Sequence, residues 1–164
     1  MDLFEKGIMS TELLREKGVY PSEARMKKGP VAVCECVEEI PCNPCETACR
    51  FGAIRIGENI SDTPKMQDEK CSGCTLCVAA CPGLAIFVLD KSYSDEVGSV
   101  SFPYEYLPVP KVGDEVDAVD RGGKTVCKGK VKKVVLTKKS DRTTVMTVEV
   151  PIEFVDEIRG IKRL

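Results

Sequence analysis

Two cysteine runs set 32 residues apart constrain this chain more than any other feature. Displacing the sequence by that interval lays Cys42, Cys45 and Cys49 on Cys74, Cys77 and Cys81, and Ala53-Ile54 on Ala85-Ile86. The second run, CSGCTLCVAACPG at 71–83, is regularly spaced. The first, CECVEEIPCNPCETACR at 34–50, is not: Cys71 corresponds to Glu39, and the nearest upstream cysteines are Cys36 and Cys34. A duplicated cysteine scaffold is either stapled by disulfides or wrapped around metal. The 164 residues hold 10 cysteines and no histidine, so every soft metal ligand here is a thiolate. Nine of the ten fall between 34 and 81, in close repeats rather than as scattered staples.

Cys71, Cys74, Cys77 and Cys81-Pro82 spell C-x2-C-x2-C-x3-C-P. This is the bacterial ferredoxin run, whose fourth cysteine ligates the other iron–sulfur cluster where two are present. Reach gives the physical reason. Three cysteines at steps of three wrap a loop around one cube, and four further residues of helix carry Cys81 about 6 Å along the axis, towards a neighbour. Zinc suits this pattern poorly, since its tetrahedral sites pair two C-x2-C units across a longer loop. The repeat then assigns the rest. Cys71, Cys74 and Cys77 hold one cube (cluster II) with Cys49, which crosses over as the counterpart of Cys81. Cys42 and Cys45 hold the other (cluster I) with Cys81 and a third upstream thiolate, Cys36 or Cys34. Cys36 is nearer and needs only the insertion VEE, so it is favoured. Direction does not separate the two, because both point to one face of an extended strand. Cys127 and Cys34 otherwise read as small buried apolar residues.

Around this core the sequence suggests three segments: an arm at 1–30, a two-cluster domain at 31–101 and a small β-domain at 102–164. In the arm, Ser10 caps a short helix TELLREK that Gly18 ends, and a second turn, SEARMKK, follows Pro21. Both are too short to stand alone in water and must pack on this chain or on a partner. VAVCECV (31–37), AIRIG (53–57) and AIFVLD (85–90) read as strands. FPYEYLPVP (102–110) holds three prolines and reads as a linker. Beyond it DEVDAV, KTVCK, KVKKVVLT and RTTVMTVEV are strand candidates, separated by DRGG, a glycine and KKSD. Met146, Val148 and Val150 alternate with Thr147 and Glu149, as on a half-buried strand. A small antiparallel barrel closing with a turn of helix near IEFVDEIRG is expected.

Several function classes recede. Residues 110–164 carry 13 Lys/Arg against 9 Asp/Glu, too mild an excess, without interleaved aromatics, for nucleic-acid binding. No run nears the ~18 apolar residues of a membrane span. MDLFEKGIMS lacks the apolar core of a signal peptide, and charged residues make up 30% of the chain; a reducing cytoplasm is the expected setting. There is no G-x-G-x-x-G or Walker loop, and no evident catalytic base or nucleophile, so no catalytic site of its own is expected. Arg50 stands after Cys49 where Pro82 follows Cys81, and is a candidate for placing positive charge near cluster II.

Residues 30–90 resemble the bacterial dicluster ferredoxins. The resemblance implies an α+β fold, a dicluster ferredoxin-like core with two [4Fe-4S] clusters passing single electrons, here carrying an N-terminal helical arm and a C-terminal barrel. IPCNPCETACRFGAI, CSGCTLCVAACPGLAIFV and PYEYLPVPKVGDEVDAVDRGGKTVCKGKV are similar to the 4Fe-4S subunits of FAD/NAD(P)-dependent amino-acid dehydrogenase complexes, of the proline, hydroxyproline or sarcosine type. In that group ECxxEIPCNPCETAC is the usual form, which implies Cys36 as ligand, and a proline often stands where this chain has Arg50. The likeness implies flavoprotein dehydrogenase subunits and a 2Fe-2S subunit as partners. The alternatives are a free-standing soluble ferredoxin and a sensor responding to cluster loss.

Overall fold

A computed structural model describes residues 7–138, 140 and 142–164. The first six residues of the arm, and Lys139 and Asp141 of the KKSD turn, lie outside the described residues. Among the described residues two short helices come first, α1 (Thr11–Glu16) and α2 (Glu23–Met26). Ser10 and Ser22 cap them, each Oγ accepting the N–H three residues on, of Leu13 at 3.2 Å and Arg25 at 3.1 Å. Their apolar residues are used within this chain: Leu14 and Met26 are wholly buried. A side chain so buried contributes about 1.5–3 kcal/mol, more than helices of this length supply themselves.

The duplicated core follows. Strand β1 (Val31–Cys34) leads to helix α3 (Pro44–Ala48) and a small hairpin of β2 (Ile54–Arg55) and β3 (Lys65–Met66). A 3-10 turn, Asp68–Lys70, precedes helix α4 (Leu76–Ala80) and strand β4 (Ile86–Asp90). The 32-residue interval extends to the helices: α3 and α4 coincide under it end to end. β1 pairs antiparallel with β4, Cys34 opposite Ile86.

The remaining strands, β5 (Val97–Tyr104), β6 (Glu115–Val119), β7 (Thr125–Val135), β8 (Thr144–Pro151) and β9 (Gly160–Ile161), continue the same sheet. Its order is β1-β4-β5-β8-β7-β6-β9, and it curls enough that β9 comes back near β5. One core, from Met26 and Val31 through Phe102 to Met146, Val148 and Ile158, runs beneath it.

Two expectations need correction. Phe102–Tyr104 are not linker but the end of β5, paired with β8 from Val97↔Pro151 to Tyr104↔Thr144, so the 101/102 division falls inside a strand. Gly129 does not separate two strands but lies within β7, opposite Val116. A Cβ there would come 2.5 Å from Val148 Cγ1, so the glycine marks close packing rather than a turn. The alternation on β8 holds, with Met146, Val148 and Val150 buried and Thr147 and Glu149 half-buried.

Candidate metal centres

Each helix of the duplication places its cysteines in the same way. α3 and α4 end at the last cysteine of their run. Cys49 (ψ 94°) and Cys81 (ψ 111°) are their C-caps, in extended conformation. The chain then turns back so that the N–H of Ala53 donates to Cys49 Sγ at 3.2 Å, and that of Ala85 to Cys81 Sγ at 3.4 Å. The same N–H···S bond thus recurs at the 32-residue interval. Cys71 Sγ accepts two more, from Ala32 at 3.3 Å and Gly73 at 3.4 Å. Gly73 takes φ +66° with Pro30 so close that a Cβ would collide with it, and Thr75 takes φ +65°. These left-handed turns bend the loop around its cavity.

The cysteines assemble into two quartets. One cavity (I) is lined by Cys36, Cys42, Cys45 and Cys81, with Ile40, Ile56, Pro64 and Ile86 as apolar wall and Glu38 and Asp62 at its edge. The other (II) is lined by Cys49, Cys71, Cys74 and Cys77, with Ala32, Phe51, Ile54, Leu76 and Val88 and no charged side chain. Each run therefore gives its last cysteine to the cavity of the other. Cys34 lines neither. It is wholly buried at the end of β1, its thiol 3.5 Å from Met66 Sδ. β1 stops there, so the alternation that would have aimed Cys34 and Cys36 alike is broken. Cys127 is half-buried on β7 opposite Ala118, away from both quartets. All ten cysteines are free of disulfides.

Glu35 holds the start of the first run in place. Its N–H donates to Ala85 O at 2.8 Å. Its carboxylate accepts Arg121 Nη2 and Nε at 2.6 and 2.8 Å, and Arg159 Nε at 2.6 Å. Burial pushes the Glu35 carboxyl up, but these guanidinium hydrogen bonds and charges outweigh it and hold it below the usual range. Both arginines come from the C-terminal half, so that half fixes the backbone beside Cys36.

Burial makes these thiols reluctant to ionise unaided: it pushes Cys45 up to about 11 and Cys77 up to about 12. A bound cation that binds thiolate reverses that preference. Among the described residues, no three His, Cys, Asp or Glu side chains gather as the ligands of a single ion would. Four thiols around an apolar void, with backbone N–H groups aimed at sulfur, are the donor set an iron–sulfur cube takes.

An open groove of about 730 Å³ borders cavity I, reaching Cys36, Cys42 and Cys81 and walled in part by Ile8, Ile40 and Leu84. Arg50 is exposed and lies in no described ion pair. The buried cation near cavity II is instead Arg25, which no sequence pattern singled out. Among the described residues, no helix is long and apolar enough to cross a membrane.

Residues 35–85 match the family model of a 4Fe-4S dicluster domain. Over 55 residues the chain is 47% identical to a subunit of the ion-translocating oxidoreductase complex of Methanosarcina acetivorans, a segment that is 34% of this chain and 19% of that protein. The chain thus spans about a fifth of the length of this curated relative. No solved structure matches it. These matches support 4Fe-4S clusters and iron–sulfur electron transfer as the chemistry of residues 35–85.

Proposed function

We propose that the protein is an iron–sulfur electron-transfer subunit that relays single electrons through two [4Fe-4S] clusters within a flavin-containing dehydrogenase complex. Cluster I is held by Cys36, Cys42, Cys45 and Cys81, and cluster II by Cys71, Cys74, Cys77 and Cys49. The observation that carries this reading is the pair of crossed thiol quartets, each with its N–H···S bond to the exchanged cysteine. When bound, the clusters supply the one-electron redox chemistry. The chain's own residues ligate, exclude water with apolar walls, and present backbone N–H groups that stabilise negative charge on sulfur.

The fold that goes with this reading is α+β, a ferredoxin-like core whose sheet runs on into a small curled C-terminal barrel. Membership of a larger assembly is favoured by the relative above, which is named as a subunit of an oxidoreductase complex. The groove beside cluster I, which reaches Cys36, Cys42 and Cys81, offers a partner's cofactor one approach. The described part of the arm lends the idea less than its length suggests, because α1 and α2 bury Leu14 and Met26 against this chain. Flavoprotein subunits, with a 2Fe-2S subunit, are the partners the sequence likeness points to.

Anaerobic purification tests the proposal. Iron and acid-labile sulfide at roughly eight each per chain, with two interacting paramagnets on reduction, are expected. Flavoprotein chains are expected to co-elute from native cells. Zinc in place of iron, or iron for a single cube, overturns the cluster assignment. Isolation as a lone carrier overturns the complex.

A further inference from the structure

Arg25 is 6% exposed, yet its guanidinium meets no carboxylate within 4.0 Å among the described residues. Nη2 donates to Cys71 O at 2.7 Å and to Pro30 O at 3.5 Å, Nε to Asp68 O at 2.9 Å, and Nη1 to Gly29 O at 3.1 Å. Two of the acids around it are committed elsewhere. Glu23 pairs with Lys91 and Arg15, Glu69 pairs with Lys28, and Asp68 offers only its carbonyl. Carbonyl dipoles satisfy the donors but do not neutralise the charge. A buried cation without a counter-charge is costly, and an anionic cluster beside it would offset that cost.

The cation rests on the backbone of Cys71, whose sulfur lines cavity II. A cube with four thiolates is an anion, and its negative charge grows by one when it takes an electron. Cavity I has different surroundings: no cationic side chain lines it, the exposed carboxylates of Glu38 and Asp62 do, and the two guanidinium groups beside its ligand Cys36, of Arg121 and Arg159, both meet the carboxylate of Glu35. Charge near a cluster is one of the levers that set its potential, and a buried charge acts with far less solvent screening than an exposed one.

Resting on the two-cluster reading above, we infer that Arg25 is a positioning residue for charge, which holds cluster II at a higher potential than cluster I. The first electron to enter, from a reduced flavin in the proposed complex, therefore settles on cluster II. The chain's one buried, carboxylate-free guanidinium among the described residues makes the two cubes unequal despite the near-symmetry of the cysteines. The N-terminal arm thereby becomes part of the redox unit, since Arg25 belongs to α2.

The test is an anaerobic redox titration of the holoprotein followed by electron paramagnetic resonance. Cys42→Ala protein, retaining cluster II, is expected to titrate with the upper of the two waves, and Cys74→Ala protein, retaining cluster I, with the lower. Arg25→Gln is expected to lower the cluster II wave and leave cluster I in place, whereas Arg25→Lys, which keeps the charge, restores it. A residue with a merely structural role would not move one wave selectively. Full iron content with both waves unmoved in Arg25→Gln overturns this inference while leaving the two-cluster reading intact. Wild-type iron short of two cubes overturns that reading itself. Should Arg25→Gln not hold its iron, the order of the waves decides: cluster II as the lower wave, or coincident waves, overturns the inference, and cluster II as the upper wave supports it.

Discussion

Cys34 Sγ rests 3.5 Å from Met66 Sδ, inside the core and outside both cysteine-lined cavities. Two residues along, Cys36 lines cavity I. Cys34→Ala is therefore expected to keep full iron and to cost about 1–2 kcal/mol of stability for the lost sulfur packing. Cys36→Ala is expected to lose roughly half the iron, one cube of the pair. Iron analysis of the two purified variants decides, and the reverse outcome would reassign the ligand.

The exchange of Cys49 and Cys81 predicts a pattern among double variants. Cys49→Ala with Cys74→Ala removes two ligands of the same cube, and is expected to retain about as much iron as either single variant, roughly half. Cys49→Ala with Cys42→Ala touches both cubes and is expected to retain little. If Cys49 belonged to the cube of its own run, the two double variants would exchange these results.

Glu35 joins the first cysteine run to the C-terminal half through Arg121 and Arg159. Its side chain is only 9% exposed, so Glu35→Gln leaves two buried guanidinium groups short of charge. A loss of about 2–4 kcal/mol is expected, tempered because glutamine still accepts a hydrogen bond. Since Cys36 follows directly, iron from cluster I is expected to be lost to a chelator faster than iron from cluster II. Denaturation midpoints and chelation kinetics check the two parts separately.

Acid should weaken the same contacts. Burial raises the carboxyls of Glu35 and Asp156, but Arg121 and Arg159 for the first, and Lys91 and Tyr20 for the second, bring both below the ordinary range. A carboxyl depressed in the folded state contributes its full stability above its unfolded value, about 4, and loses it as pH falls through the lower folded value. The melting temperature, followed anaerobically by circular dichroism, is expected to hold between about pH 5 and 7 and to fall below about pH 4. Glu35→Gln is expected to fall less steeply there. Parallel acid limbs for the two proteins would contradict this linkage.

Gly129→Ala is expected to destabilise by about 1–3 kcal/mol, because the added methyl meets Val148, which is wholly buried and has no free space to move into. Thermal unfolding measures it. An unchanged midpoint would mean that β7 and β8 yield at no cost.

Which cysteines line each cavity follows from spacing, which is local: the 32-residue interval aligns the runs, and a three-residue insertion points to Cys36. Helix α1 also showed in the sequence, through Ser10, and α4 through the step from Cys77 to Cys81, whereas α3 did not. β5 did not. Gly98, Ser99, Ser101 and Pro103 give it the composition of a loop, and only pairing with β4 on one side and β8 on the other makes it a strand. Gly129 misled for a related reason, since its lack of a side chain serves a neighbouring strand rather than a turn. Arg25 was invisible because backbone carbonyls surround it, and no pattern of side chains announces them. Arg50, adjacent to a cysteine in sequence, is exposed in the structure.

Because β5 is hydrogen-bonded to β4 and to β8 at once, it works as a seam between the two halves of the chain. A fragment cut at residue 101 would carry away a frayed edge and strip Glu35 of both arginines. The cysteine-bearing half is thus not a transplantable cassette with a detachable tail: grafting it elsewhere requires taking the whole sheet along.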